Sequence, residues 1–469
     1  EADDRADADA HHALARAAAA ECVVLLKNDD AVLPLSPDLK HLAVIGEFAR
    51  TPRFQGAGSS KVNPTRVDDA LAALRAGVGD DVTVDFAPGF GVDDPTADDA
   101  ALLEEAVAKA GFAHVTVLFL GLPPSYESEG YDRTHIDLPA NQLAVLDAVA
   151  AVANRLVVVL ANGSVVAVDD WQDAAHAVVE GWLGGQAGGG AIADVLLGEV
   201  NPSGRLAETI PVRLQDTASY GNFPGEEGHV RYGEGLFIGY RHHDAIDGPV
   251  SYPFGHGLSY TAFGYSDLVV TAVDDPLADA GWRGAPRLQV TATVTNTGAV
   301  AGKEVVQLYV GAPTGTLVHP VRELKAFAKV SLEPGESTEV AFVLHERDLS
   351  SWSTRTGGWV LEPGTFEVAV GASSRDLRLV ASAAVDGPPV TYPLDRSSTL
   401  AEWLEHPIGH EVLIDALRHS RAGDLSGLAE DPEQVRMLGS FPLTRLRTLF
   451  GGAMDDEAVD TLLARLGDT

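Results

Sequence analysis

Short apolar runs alternate with amphipathic stretches through the first part of the chain. Residues 41–46, 82–86, 115–120, 156–160 and 177–179 are rich in Val, Leu, Ile and Phe, and read as strands. Between them, residues 67–76, 98–110, 139–152 and 190–197 have helical periodicity. An alanine-rich segment over residues 7–21 precedes them as a further helix, with Leu14 near the start of an apolar pattern that runs on into residues 22–26. Strands apolar on both sides and separated by helices predict a mostly parallel sheet covered on both faces, because only that arrangement buries them. This α/β sandwich domain is expected over residues 1–211.

The texture then changes twice. Residues 212–262 are rich in glycine, aromatics and histidine without a period, and read as a connector. From 263 to 386 alternation is at period two, as in Leu288-Val290-Ala292-Val294, Val306-Leu308-Val310, Val340-Phe342-Leu344 and Phe366-Val368-Val370. Turn signals such as Asn296-Thr297-Gly298, Glu333-Pro334-Gly335 and Glu362-Pro363-Gly364 separate these runs. That is the pattern of an antiparallel two-sheet β-sandwich. The tail, 387–469, is helical: Leu400, Trp403, Leu404, Val412, Leu413 and Leu417 mark apolar faces, and Pro432 and Pro442 divide helices.

Of 469 residues, 45% are hydrophobic and 22% charged, the composition of an ordinary globular protein of about three domains. Lysine and arginine (33) against aspartate and glutamate (68) give a net charge of −35, which repels phosphate backbones and anionic membranes. No nucleic-acid or membrane partner is expected. The one cysteine, Cys22, excludes an internal disulfide, and inside its apolar run it reads as a small buried residue. The chain opens Glu1-Ala2-Asp3-Asp4 rather than with a basic segment before an apolar one, so nothing exports or anchors it and a cytoplasmic location is expected. The acidic start also reads as internal to a longer parent.

The richest stretch for chemistry leaves the third strand: Leu122-Pro123-Pro124-Ser125-Tyr126-Glu127-Ser128-Glu129-Gly130-Tyr131-Asp132-Arg133. Ligands gather at the carboxyl ends of strands in open parallel sheets, and a carboxylic acid there serves as a proton donor if its surroundings raise its pKa. Composition alone favours a merely solvated acidic loop. A second loop, over 53–64, contains Arg53, Gln55 and Gly56-Ala57-Gly58-Ser59-Ser60, which allow close backbone approach to a ligand. Lys61 stands where a dinucleotide fingerprint needs its third glycine. The glycine run over 184–190 lacks the serine of a hydrolase elbow and reads as a helix-entry turn. His242, His243 and His256 read as structural, His410-Glu411 lacks the second histidine of a zinc helix, and Trp171 and Trp182 read as core; neither a metal nor a cofactor is expected.

Together these segments resemble glycoside hydrolase family 3, the family of bacterial and fungal β-glucosidases and β-xylosidases. The resemblance rests on five stretches in order: Ala18-Ala19-Ala20-Glu21-Cys22-Val23-Val24-Leu25-Leu26-Lys27-Asn28, Gly56-Ala57-Gly58-Ser59-Ser60, Glu127-Ser128-Glu129-Gly130-Tyr131-Asp132-Arg133, Asn201-Pro202-Ser203-Gly204-Arg205-Leu206 and Phe254-Gly255-His256-Gly257-Leu258-Ser259-Tyr260. It spans essentially the whole chain, including a fibronectin-type-III-like domain and helical tail similar to those of actinobacterial members. It turns the balance on the acidic loop. The resemblance implies that Glu129, which directly precedes the Gly130-Tyr131 pair, is the general acid/base. It implies too that Tyr131 borders the leaving-group subsite, and that Arg53, Gln55 and Ser59 line the same mouth.

One departure stands out. The family's aspartate nucleophile comes from a barrel domain, and neither the start of this sequence nor the stretch after Val385 holds the roughly 250 residues of a barrel. Asp170-Trp171 follows a sandwich strand and is not that nucleophile. The expectation is a C-terminal part of a retaining, exo-acting β-glycosidase on oligo- or aryl-β-glycosides, inactive alone. The barrel would come in cis or in trans, and its carboxylates would raise the pKa of Glu129. A non-catalytic carbohydrate-binding or scaffolding role is the alternative. A bared apolar face would permit homo-oligomers.

Overall fold

A computed structural model of the chain describes residues 7–59, 61–94, 96–273, 282–313, 315, 317–387, 390–420, 423–447 and 454–467. The acidic start at 1–4 and Ser60 lie outside these residues.

The chain begins with helix α1 (Ala8–Cys22), whose amino end is capped by the Asp7 carboxylate. Strands β1 (Val24–Asn28) and β2 (His41–Ile45) follow. Next come α2 (Ala70–Gly77), β3 (Thr83–Ala87), α3 (Asp99–Ala110), β4 (Val115–Gly121), α4 (Ala140–Ala150), β5 (Leu156–Ala161), β6 (Ala177–Glu180) and α5 (Gly188–Leu197). The six strands form one sheet in the order β1-β6-β5-β4-β2-β3, parallel except at β1, which runs antiparallel to β6. All seven residues of β4 and all six of β5 are buried, as strands covered on both faces require.

Two expectations are corrected here. The apolar run over 22–26 does not continue the first helix, because the chain leaves the helix at Val23 and re-enters the sheet as its antiparallel edge. Cys22, the last helical residue, is exposed rather than buried. Within the 212–262 connector, part of the chain is regular. Strand β7 (Ile210–Pro211) pairs with β8 (Val250–Tyr252), with the short helix α6 (Tyr240–Ala245) between them. By contrast, α5 begins inside the glycine run, in keeping with a helix-entry turn.

The crossover directions fix the layers. From β2 the sheet is traversed outward to β3, then back to β4 and on to β5. With right-handed connections α2 lies on one face and α3 and α4 on the other. The packing agrees: α2 and α1 contact α5, while α3 contacts α4.

The β-sandwich is built from two antiparallel sheets. One holds β9 (Phe263–Ala272), β10 (Pro286–Asn296) and β13 (Ser337–His345). The other holds β11 (Gly302–Gly311), β12 (Glu323–Leu332), β16 (Gly364–Gly371) and β17 (Leu377–Val385). A small hairpin of β14 (Ser351–Ser353) and β15 (Gly358–Val360) is inserted between β13 and β16. The chain divides into two compact units. The first contains the α/β domain, the connector and the sandwich strands. The second joins Glu346–Gly364, with its hairpin, to the helical tail, whose core surrounds the buried Trp403 with Leu400, Leu413 and Leu417. Among the described residues no helix is long and apolar enough to cross a membrane.

Candidate active site

Strands β2 and β4 are hydrogen-bonded neighbours, yet the chain leaves them toward opposite faces of the sheet. Such a point of divergence opens a crevice at the strand ends, where open α/β sheets bind ligands. The loop after β2 carries Arg53, Gln55 and Ser59; the loop after β4 carries Glu127, Glu129 and Tyr131. The two sequence-predicted loops meet there, joined by bonds from Arg53 to the Leu122 and Glu127 carbonyls and from Ser59 to Glu129.

Glu129 sits at its edge. The carboxylate accepts a hydrogen bond from the Ser59 backbone N–H at 2.6 Å, across 70 positions of sequence. That bond holds its pKa below the ordinary carboxylate range. The side chain is exposed, so nothing among the described residues supplies the burial or neighbouring negative charge that would raise it. The expected upward shift is thus not met within this chain. Gly58 makes the approach possible: its φ is +99°, and a Cβ there would stand 2.5 Å from both Cβ and Oε2 of Glu129. Tyr131 is exposed beside it, its hydroxyl donating to the Pro124 carbonyl.

Arg53 and Gln55 face inward onto the loops. The buried Arg53 guanidinium donates to the carbonyls of Leu122 (3.0 Å), Gln55 (2.6 Å) and Glu127 (2.9 Å). The Gln55 amide bonds both the N–H and the C=O of Val62 and folds its own loop.

Behind these loops Glu127, already present in the acidic motif, joins a polar cluster whose other members Ser164, Asn162 and Glu180 carry no sequence motif. Glu127 accepts from the Gly163 N–H at 2.8 Å and from the Ser164 hydroxyl, both on the loop after β5. The Asn162 amide donates to Ser164 O (3.0 Å) and to Glu180 (3.1 Å), and the other Glu180 oxygen accepts from Trp182 N–H (3.0 Å). Glu180 ends β6 fully buried, and burial pushes its carboxyl up to about 8, against the opposing effect of the bonds from Trp182 and Asn162. Burial likewise raises Glu208, with Arg133 countering it. The signal available in the sequence was a single acid closing the apolar run Ala177-Val178-Val179-Glu180.

The other candidates are structural. Trp171 is buried with its indole N–H on Ala167 O, and His256 bonds Leu26 O at 2.8 Å. Trp182 is half-buried, packed against the core of the α/β domain at φ +55°. Asp170 is exposed. Among the described residues no three His, Cys, Asp or Glu side chains form a group able to hold a metal ion.

Residues 23–260 match the glycosyl hydrolase family 3 C-terminal domain, and 304–374 match a fibronectin type III-like domain. The chain belongs to glycosyl hydrolase family 3. The family 3 match runs past Pro211 to take in the paired β7 and β8. The chain is 48% identical over 472 residues to thermostable β-glucosidase B of Acetivibrio thermocellus, covering 98% of this chain and 60% of that protein. It is 44% identical over 455 residues to the exo-alpha-(1->6)-L-arabinopyranosidase of Bifidobacterium longum, covering 95% of this chain and 58% of the relative. Among solved structures, the family 3 β-glucosidase of Bifidobacterium adolescentis superposes with a TM-score of 0.80 at 48% identity, over 88% of this chain and 59% of that one. The chain thus spans about three-fifths of the length of these relatives.

Proposed function

We propose that this chain is the C-terminal part of a retaining, exo-acting β-glycosidase and that Glu129 is its general acid/base. The single observation that carries the reading is the seat of Glu129: an exposed carboxylate on the loop leaving β4, held by the loop leaving β2, in a family 3 chain. A barrel domain, in cis or in trans, would supply the nucleophilic carboxylate opposite it.

The chemistry follows from two carboxyl groups about 5 Å apart. As the anomeric carbon bonds to the nucleophile, its bond to the glycosidic oxygen breaks and the Glu129 proton moves to that oxygen, releasing an alcohol. The Glu129 carboxylate then takes a proton from water while the oxygen of that water displaces the enzyme carboxylate from the same carbon. One water is consumed, the sugar leaves with its anomeric configuration retained, and both carboxyl groups return to their starting forms. Glu129 must be protonated to begin, so the barrel side has to bury it or set negative charge beside it. Tyr131 and Ser59 flank the leaving group; Arg53 and Gln55 hold the loops that carry them.

The named relatives act on a β-glucoside and on an α-L-arabinopyranoside, sugars whose scissile bonds are both equatorial in the shared chair. Terminal sugars with that geometry are the proposed substrates. The test uses the catalytically active protein that carries this chain, with Glu129→Ala and aryl glycosides of both sugars. Phenyl glycosides, which need protonation, should slow by about 10²–10⁴-fold. Dinitrophenyl glycosides should still form the glycosyl enzyme, and azide should restore turnover by giving a glycosyl azide of retained configuration. Unchanged hydrolysis of the phenyl glycosides would overturn the assignment.

A further inference from the structure

We infer that Glu127 is the positioning residue of the acid/base loop, a clip that joins three loops two residues before Glu129. The inference rests on the reading of Glu129 given above. The Glu127 side chain reaches the loop after β5, accepting from Gly163 N–H and the Ser164 hydroxyl. Its main-chain carbonyl accepts from Arg53, on the loop after β2, and the same guanidinium lies 3.8 Å from its carboxylate. Its own N–H donates to Pro123 O at 3.1 Å, winding the start of the β4 loop into a turn.

The socket is held by bonds that do not involve Glu127. Asn162 ties Ser164 inward to the buried Glu180, and Arg133 donates to the Ser164 hydroxyl (2.9 Å) and to Val165 O (2.8 Å). Gly163 leaves room: a Cβ there would stand 3.2 Å from both Glu127 oxygens and 2.8 Å from Leu183 Cδ1. Glu127 is half-buried and its oxygens accept from Gly163 and Ser164, whereas Glu129 is exposed and held by Ser59. The division of labour between the two glutamates follows. One fixes the backbone, and the other is left free to exchange a proton. A supporting shell of this kind keeps a reacting group within the small tolerance that proton transfer needs.

The test compares Glu127→Gln, Ser164→Ala and Glu129→Ala in the catalytically active protein. Glu127→Gln should lower kcat on phenyl glycosides by about 10–100-fold, the effect of losing an orienting partner, with KM within about twofold. Azide should not rescue it, because the Glu129 carboxylate still occupies the site. Hydrogen exchange of the amides from Ser128 to Asp132 should quicken. Ser164→Ala removes one hydroxyl and no charge, keeps the loop folded, and should show the same pattern at smaller amplitude. Wild-type kcat in both variants beside an azide-rescued Glu129→Ala overturns the positioning role and leaves the acid/base reading standing. Azide rescue of Glu127→Gln also overturns it, since Glu127 would then be the acid. A Glu129→Ala variant with unimpaired turnover overturns the reading itself, and the positioning role with it.

Discussion

Gly58 ties backbone conformation to chemistry at a single atom's distance. Alanine there would face both the left-handed φ and the Cβ of Glu129. Gly58→Ala should lower stability by about 1–3 kcal/mol. It should also break the Ser59 N–H bond, so the Glu129 carboxyl should titrate closer to its ordinary value, an upward move readable by carboxyl NMR. Glu180 makes the opposite kind of case. Its folded value of about 8 lies above that of the unfolded chain, so the two states are equally protonated below the ordinary carboxylate range and equally ionised above 8, and differ between. As pH rises toward 8 the unfolded chain ionises first and the native state loses about 1.4 kcal/mol for each unit separating the two values. Urea unfolding should show Glu180→Gln gaining on wild type between pH 4.5 and 8, with no further gain above.

At the scale of elements, the end of β4 is set from a helix. The buried Gln142 of α4 accepts from Gly121 N–H and donates to Gly121 O, both at 2.9 Å, satisfying the last residue of the strand before the acidic loop departs. Gln142→Leu strands both groups and should cost about 1–3 kcal/mol for each, seen as a lowered urea midpoint with m unchanged. Such a bond pattern is invisible in sequence, since Gln142 reads as one polar position on a helix. Four of the parallel strands were legible because burial on both faces writes continuous apolar runs, and the edge strand β3 because Val82, Val84 and Phe86 alternate with polar residues. Strand β1 was not, because its residues extend an alanine-rich helix without a breaker. Glu129 could be picked out by its family motif. Glu127 stands in the same motif, but its role, like those of Ser164 and Glu180, depends on which loops the topology brings together.

Across the whole chain the net charge is −35, and some of its 33 lysines and arginines bridge the α/β domain and the sandwich. Glu21, at the end of α1, is clasped by Lys303 and Lys329 from the sandwich. Partial burial alone would raise its pKa, but the two ammonium groups outweigh that and hold it at about 2. The stabilisation is present above the ordinary carboxylate range and is lost as pH falls through about 2. Acid unfolding followed by circular dichroism should therefore begin at higher pH in Glu21→Gln than in wild type. Nearby, Arg205 and Glu304 form a buried pair at 2.7 Å. Glu304→Gln leaves the guanidinium uncompensated and should cost about 3–5 kcal/mol, measured by urea unfolding.

The helix end that carries Glu21 also carries Cys22, the sole sulfhydryl of the chain and open to solvent. A maleimide fluorophore would therefore attach stoichiometrically to the native sequence, one position from the lysine clasp. Its emission would report the seam between helix and sandwich coming apart, without a single engineered anchor.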